Sequence, residues 1–246
     1  MTTHFISDLH LEEARPDITR AFLSFLETRA TGSERLYILG DFFEAWIGDD
    51  EHTPLQDQVA EALRAVSGGG TEVFLMHGNR DFLIGEEFCT RAGATLLADP
   101  TVIDLYGMPT LLMHGDSLCT ADVEYQKFRA SMRNAQWQQM FLQRPLADRQ
   151  LVARQLREIS MAKNKGKEEF IMDVTPDEVV SVMEDHNVQR LIHGHTHRPA
   201  VHELSVNGKP ASRIVLGDWA ENVWWLKAES GVEPVLEKMP LQAIPE

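Results

Sequence analysis

The sequence predicts an α/β protein in which two layered sheets carry helices on their outer sides. Three observations lead there. Short β-prone runs of four or five apolar residues recur along the chain, each too brief for a helix and each bounded by turn residues. Segments with helical periodicity fill several of the gaps. The mixed strand content, with a late hairpin, points to more than one sheet.

Taken in order, "HFISDLHL" predicts a strand near 3–7 and "DITRAFLSFLETRA" a helix over 17–30. "RLYILGDFF" predicts a strand at 35–39, "PLQDQVAEALRAVS" a helix over 54–67, and "EVFLMHGNRD" a strand at 72–76. "PTLLMHGDSL" and "RLIHGHTH" predict strands at 110–113 and 190–192. In "VHELSVNGKPASRIVL" the Asn207-Gly208 pair marks a hairpin, because that dipeptide adopts the positive φ angles of a type I′ turn. The polar cluster after each of the five runs falls at a strand's carboxyl end, the edge where loops of open α/β sheets converge on ligands.

Between Lys127 and Lys167 the composition changes: ten Lys or Arg stand against two acids, Asp148 and Glu158, giving +8, while the other 205 residues carry -23. Trp137, Met140, Phe141, Leu142, Leu146, Leu151, Val152, Leu156 and Ile159 interleave with these cations, which predicts helices broken near Pro145. Two readings fit. The helices pack on their own domain and solvate a charged face, or they form a lid that presents cations and apolar surface to an amphiphilic anion or an anionic leaflet.

A chain of 246 residues, 43% hydrophobic and 25% charged, reads as one large globular domain with an insertion, and disorder is excluded. The net charge of -15 excludes a nucleic-acid backbone as general partner. Cys89 and Cys119 lie thirty residues apart without metal-ligand spacing and read as reduced thiols. With no basic leader before an apolar stretch, and no run near the roughly 18 apolar residues of a spanning helix, the expectation is a cytoplasmic protein, or one on a membrane surface.

The strand-end residues that carry chemistry are Asp8, His10, Asp41, Asn79, His114, His193, His195 and His197. Any one alone is an ordinary turn, cap or hydrogen-bonded residue. Five coincident clusters of carboxylates, imidazoles and an amide make a nitrogen and oxygen donor set suited to Mn, Fe or Zn. They exceed what one ion takes; two octahedral ions sharing a carboxylate, roughly 3.5 to 4 Å apart, would use them and clamp the attacking and leaving oxygens of a phosphoryl transfer. Gly40, Gly78, Gly115 and Gly194 beside these residues permit close backbone approach.

The series D-x-H, G-D, G-N, H-G and G-H-x-H, in this order, resembles the calcineurin-like metallophosphoesterase superfamily. Within it, "FISDLHL", "GDFFEAWIGDD", "MHGNRDFL", "MHGDSLCTAD" and "HGHTHRP" resemble, along essentially the whole chain, the branch that cleaves UDP-2,3-diacylglucosamine in lipid A biosynthesis. The resemblance implies a four-layer αββα sandwich, with a core at 1–120 and 171–246 and a helical cap inserted at 121–170. It implies two manganese ions: Asp8, His10 and His197 on the first, Asp41 bridging, and Asn79, His114 and His195 on the second. His193 is left with a structural role.

The same resemblance implies substrate contacts at Asn79, Arg80, Asp122, Ser160, Asn164, Lys167 and His195, with Arg80, Asn79 and His195 closest to the chemistry. Ser160, Asn164 and Lys167 have the i, i+4, i+7 spacing of one helical face, although Gly166 weakens the last turn. Many members of the superfamily have a histidine where Arg80 stands, able to protonate an alkoxide. A sugar 1-phosphate, with a second pKa of about 6, departs without a proton donor, so an always-charged guanidinium at this position favours a pyrophosphate bond. The implied reaction is attack of metal-activated water on the α-phosphorus, giving UMP and 2,3-diacylglucosamine 1-phosphate. The implied location is peripheral, on the cytoplasmic face of the inner membrane, with acyl chains against the cap's apolar residues and cap cations at the headgroups. Two rivals are a hydrolase of soluble dinucleoside polyphosphates, for which the apolar cap has no ligand role, and a metal-free scaffold, which would not need every ligand intact.

Overall fold

Three neighbouring strands set the architecture: β1 (Thr2–Ile6), β2 (Arg35–Leu39) and β3 (Glu72–Met76) run parallel, and their side chains alternate between two apolar environments. Ile6, Leu36, Ile38, Val73 and Leu75 pack on one side among helices, while Phe5, Tyr37, Leu39 and Met76 pack on the other against a second sheet. Strands covered on both faces read as unbroken apolar runs, which is how these appear in the sequence. The computed structural model describes residues 1–164 and 173–244, the side chains of 160–164 excepted.

On the helical side lie α1 (Pro16–Phe25, continued by a π-helical turn, Leu26–Ala30), α2 (Pro54–Gly68) and α3 (Glu86–Ala92). Proline opens the first two, and Thr53 and Gln56 form a reciprocal capping box on α2. β4 (Ala94–Leu97) completes the parallel set beside β3, and β10 (Asn222–Glu229) and β11 (Val232–Pro240) add antiparallel strands beyond β1, giving the order β11-β10-β1-β2-β3-β4. The second sheet has the order β5-β6-β7-β9-β8, from β5 (Thr101–Leu105), β6 (Met108–Leu112), β7 (Arg190–His193), β8 (Ala200–Val206) and β9 (Lys209–Val215). Here β6, β7 and β9 are parallel.

The outer face of this sheet packs Leu111, Leu191 and Val206 against Val179 and Met183 of α7 (Pro176–Asp185). The layers therefore run helices, sheet, sheet, helix: the four-layer αββα sandwich that the resemblance implied. The hairpin between β8 and β9 turns where expected, with φ of 52° at Asn207 and 70° at Gly208. Strand boundaries shift by one or two residues from the sequence reading at β1, β6 and β7. The sequence reading did not foresee α3, β4, β5, α7, β10 or β11.

Between the strand end of β6 and α7 the chain forms α4 (Val123–Met132), α5 (Ala135–Leu142) and α6 (Leu146–Asn164), with the break at Pro145. These helices sit over the carboxyl edge of the first sheet, held by arginines. Arg149 is 2% exposed and donates to the Ile47 carbonyl at 2.6 Å and to both oxygens of Asp50. Its replacement by leucine leaves that carbonyl without its partner, and loss of these contacts costs about 1–3 kcal/mol. Denaturant unfolding of Arg149→Leu checks this, with faster proteolysis inside 123–164 as the accompanying sign.

Candidate metal centre

Parallel strands place their carboxyl ends on one edge, and the backbone pairing continues past them. Asp8 N donates to Gly40 O at 3.1 Å and His10 N to Asp41 O at 3.0 Å, so the loops after β1 and β2 stay in register. In the other sheet, Gly194 N donates to His114 O at 2.8 Å. The two sheets then meet at two points: His195 N donates to the Asp8 carboxylate at 2.9 and 3.1 Å, and His114 Nδ1 lies 2.9 Å from Leu39 O.

Close approach is built into the backbone. A Cβ on Gly78 would lie 2.0 Å from Asp41 N, and one on Gly194 would lie 2.3 Å from Asp8 Oδ2. Asp8, His10, Asp41, His195 and His197 all have φ between 49° and 69°, the left-handed region. A non-glycine residue held there costs on the order of 1–3 kcal/mol, and such strain clusters where side chains must be aimed at a ligand.

The donors form two groups. Asp8, His10 and His197 have one donor atom each within 4.8 Å of one another, and so do Asp41, His114 and His195. Asp41 faces both: its Oδ2 is 3.8 Å from His10 Nε2 and its Oδ1 is 3.7 Å from His114 Nε2. Asn79 Oδ1 lies 3.2 Å from His114 Nε2, beside the second group. Two carboxylates, an amide oxygen and four imidazoles so arranged fit a pair of divalent cations of intermediate softness.

The electrostatics suit cation binding. Burial would raise the Asp8 carboxyl, but His197, His114 and His10 hold it well below the usual range. Burial raises Asp41, against the pull of His114 and His10. His195 is lowered to about 3 by burial, with the neighbouring His114 adding to the effect, and is therefore a neutral imidazole able to bind a metal. His10 and His114 are opposed by burial yet raised to about 9, the first by Glu44 and both by Asp41 and Asp8.

His193 takes a different place. It is fully buried, with Nδ1 2.8 Å from Gly194 O, and burial lowers it to about 4. Arg80 lies after Asn79 with its N–H donating to Asp41 Oδ1 at 2.8 Å, while its guanidinium reaches toward Glu44 at 3.7 Å. Asp122 caps α4, accepting from Tyr125 N at 3.1 Å. Ser160 and Asn164 lie on α6 with side chains outside the described residues, and Lys167 lies outside them altogether.

The cap and this edge enclose a cavity of about 520 Å³. Asn79, Arg80, Glu44 and Tyr125 line it beside the donor residues, Glu51, Glu124, Gln150, Arg154 and Arg157 add further polar lining, and Trp46, Phe82, Phe128, Trp137, Leu156 and Ile159 are among its apolar walls. The cap cations do not point outward as a set. Arg129 binds Asp116 at 2.8 Å, Arg133 donates to Gly78 O at 2.9 Å, and Arg157 binds Glu44 at 3.2 Å and Glu12 at 3.4 Å. The expectation that cap cations face headgroups fails for these three and for Arg149, because the acidic core attracts them inward.

A family model described as calcineurin-like phosphoesterase matches residues 1–199. The chain belongs to that family. It is 74% identical over 241 residues to a UDP-2,3-diacylglucosamine hydrolase of Marinobacter nauticus, covering 98% of this chain and 99% of that protein. A protein of the same name from Hahella chejuensis is 58% identical, covering 94% of each chain. One from Cellvibrio japonicus is 59% identical, covering 94% of this chain and 96% of that protein.

Several residues that shape this phosphoesterase site escaped the sequence reading. Asp81, fully buried, accepts from Phe42 N at 2.7 Å, Phe43 N at 3.3 Å and Gly78 N at 2.8 Å, tying the loops after β2 and β3. Asp116 accepts from Tyr125 Oη and Arg129 Nε, each at 2.8 Å, and so joins α4 to the strand end bearing His114. Glu44 Oε2 lies 2.8 Å from His10 Nδ1. The signal available for Asp81 and Asp116 was their place inside the quoted motifs, next to the donor residues. Gly194→Ala, which forces a methyl group against Asp8, is expected to weaken metal retention roughly 10- to 100-fold. Metal analysis after dialysis, with circular dichroism to show an intact fold, measures it.

Proposed function

We propose that the chain hydrolyses the pyrophosphate bond of UDP-2,3-diacylglucosamine, with water attacking the α-phosphorus and UMP and 2,3-diacylglucosamine 1-phosphate leaving. The observation that carries this reading is the cavity, which is lined by Asn79 and Arg80 next to the donor residues and also by apolar side chains of cap and core, Trp46, Phe82, Phe128, Trp137, Leu156 and Ile159 among them. An amphiphilic diphosphate has that mixture of chemistry. The named relatives support the same substrate.

Asp8, His10, His197, Asp41, Asn79, His114 and His195 would hold two manganese ions, which when bound acidify water and neutralise diphosphate charge. Arg80 supplies a fixed cation to the phosphate oxygens as the sugar phosphate departs. Tyr125 stacks on His195, with centroids 6.0 Å apart, and narrows the cavity beside the donor residues. Asp122, Ser160, Asn164 and Lys167 would contact the head group, and the cap residues would exclude water from it.

We also infer peripheral attachment to the cytoplasmic face of the inner membrane. No helix among the described residues is long and apolar enough to cross a membrane. Met140, Leu151 and Val123 of the cap stay 57%, 53% and 56% exposed, an apolar surface suited to an interface. Sedimentation with anionic vesicles is expected to fall for Met140→Glu with Leu151→Glu, and unchanged sedimentation would contradict the attachment.

The deciding assay follows UMP release from the diacylated substrate under manganese, under magnesium and after chelation. The expected result is loss of release on chelation, recovery with manganese, and weak cleavage of a dinucleoside polyphosphate. Activity that survives thorough chelation, or preference for the soluble dinucleotide, would overturn the reading. Arg80→Ala is expected to lower kcat by roughly 10²- to 10³-fold, as for loss of one donor to a developing oxyanion.

A further inference from the structure

A second cleft of about 270 Å³ adjoins the His195–His197 turn through Thr196 and shares no lining residue with the cap cavity. Asp173, Thr196, Arg198, His202, Arg213 and Val215 are among its lining residues. Thr196 sits in the chain between two residues of the donor groups, and consecutive Cα atoms lie about 3.8 Å apart. The cleft thus begins one residue from both groups.

Its polar groups are underused. Arg213 is half-buried and forms no close ion pair among the described residues: the Asp173 carboxylate acts on it at longer range while bound to Arg198, and its near polar contact is His193 Nε2 at 3.4 Å. A guanidinium partly removed from water, whose nearest carboxylate is already engaged by another arginine, calls for further acceptor atoms. The Thr196 hydroxyl is buried and has no hydrogen-bond partner among the described residues. Arg198 is engaged by Asp173 at 2.8 Å. Burial and the nearby Arg213 lower His202, so it offers one donor and one acceptor.

We propose that this cleft receives the nucleoside of the substrate, with Arg213 and Thr196 hydrogen-bonded to the uracil ring; the proposal rests on the hydrolase reading given above. A substrate cleaved between two phosphates has two halves, and the cap cavity accounts for the lipid half. The nucleoside half extends from the α-phosphorus away from the leaving group, and this cleft, which reaches the donor residues through Thr196 and shares no lining with the cap cavity, is open to it. Uracil presents two carbonyl acceptors and one N–H. Arginine donors, a hydroxyl and a carboxylate beside the apolar Val215 match that pattern, whereas cytosine would turn an amino group toward the guanidinium.

Titration calorimetry of the manganese-loaded full chain with UMP, CMP and ribose 5-phosphate tests this. All three bring a phosphate to the metals, so differences among them report on the base. UMP is expected to bind about tenfold tighter than either of the others. In Arg213→Gln that preference disappears while ribose 5-phosphate affinity stays as in the wild type, and Thr196→Val decides the question if Arg213→Gln does not fold. Equal binding of UMP and ribose 5-phosphate by the wild type, or a folded variant that keeps the preference, would overturn the assignment. Failure of the hydrolase reading would show separately, as absent UMP release from the lipid substrate by the wild-type protein.

Discussion

The constraint on which the rest depends is the burial of two carboxylates, Asp8 and Asp41, at adjacent strand ends, with side chains 0% and 3% exposed. Ionised carboxylates without water need positive charge and hydrogen-bond donors, since their desolvation costs several kcal/mol each. The fold supplies these from both sheets: backbone N–H groups of Arg80 and His195, and imidazoles from the loops after β1, β6 and β7. Asp8 joins the sheets at this edge by accepting from His195 N, beside the contact of His114 Nδ1 with Leu39 O. Parallel β1, β2 and β3 are required because antiparallel neighbours would send alternate loops to the far side of the sheet.

The cap answers the same electrostatics at longer range. A core of -23 and a segment of +8 attract one another, and Arg129, Arg149 and Arg157 of the cap are spent on Asp116, Asp50, Glu44 and Glu12. All four of these acids lie in the segments after β1, β2 and β6 that also carry site residues. Docking of the cap and shaping of the site are therefore one event. The apolar residues divide accordingly: Phe141 and Leu146 pack into the core, Leu156 and Ile159 line the cavity, and Met140 and Leu151 remain outside.

The strands bearing donor residues were legible because each is a short apolar run stopped by a polar cluster, and parallel burial on both faces leaves that signature. The late hairpin was legible from Asn207-Gly208. The strands β4, β5, β10 and β11 were not, because β5 and β11 alternate exposed and partly covered residues and resemble loops in a linear reading. The donor residues stood out as chemistry at repeated positions. Asp81, Asp116 and Glu44 did not, since their partners are backbone amides and side chains brought near only by folding: Asp81 contacts Phe42 from 39 positions away. The inward turn of the cap arginines likewise depends on tertiary proximity, which local periodicity does not encode.

Every functional step argued above requires two cations held by these seven side chains. Anomalous diffraction from crystals grown with manganese measures this directly. The account predicts two peaks roughly 3.5 to 4 Å apart, with Asp41 between them, one against Asp8, His10 and His197 and the other against Asn79, His114 and His195. A single peak, or peaks bound elsewhere on the surface, would contradict it.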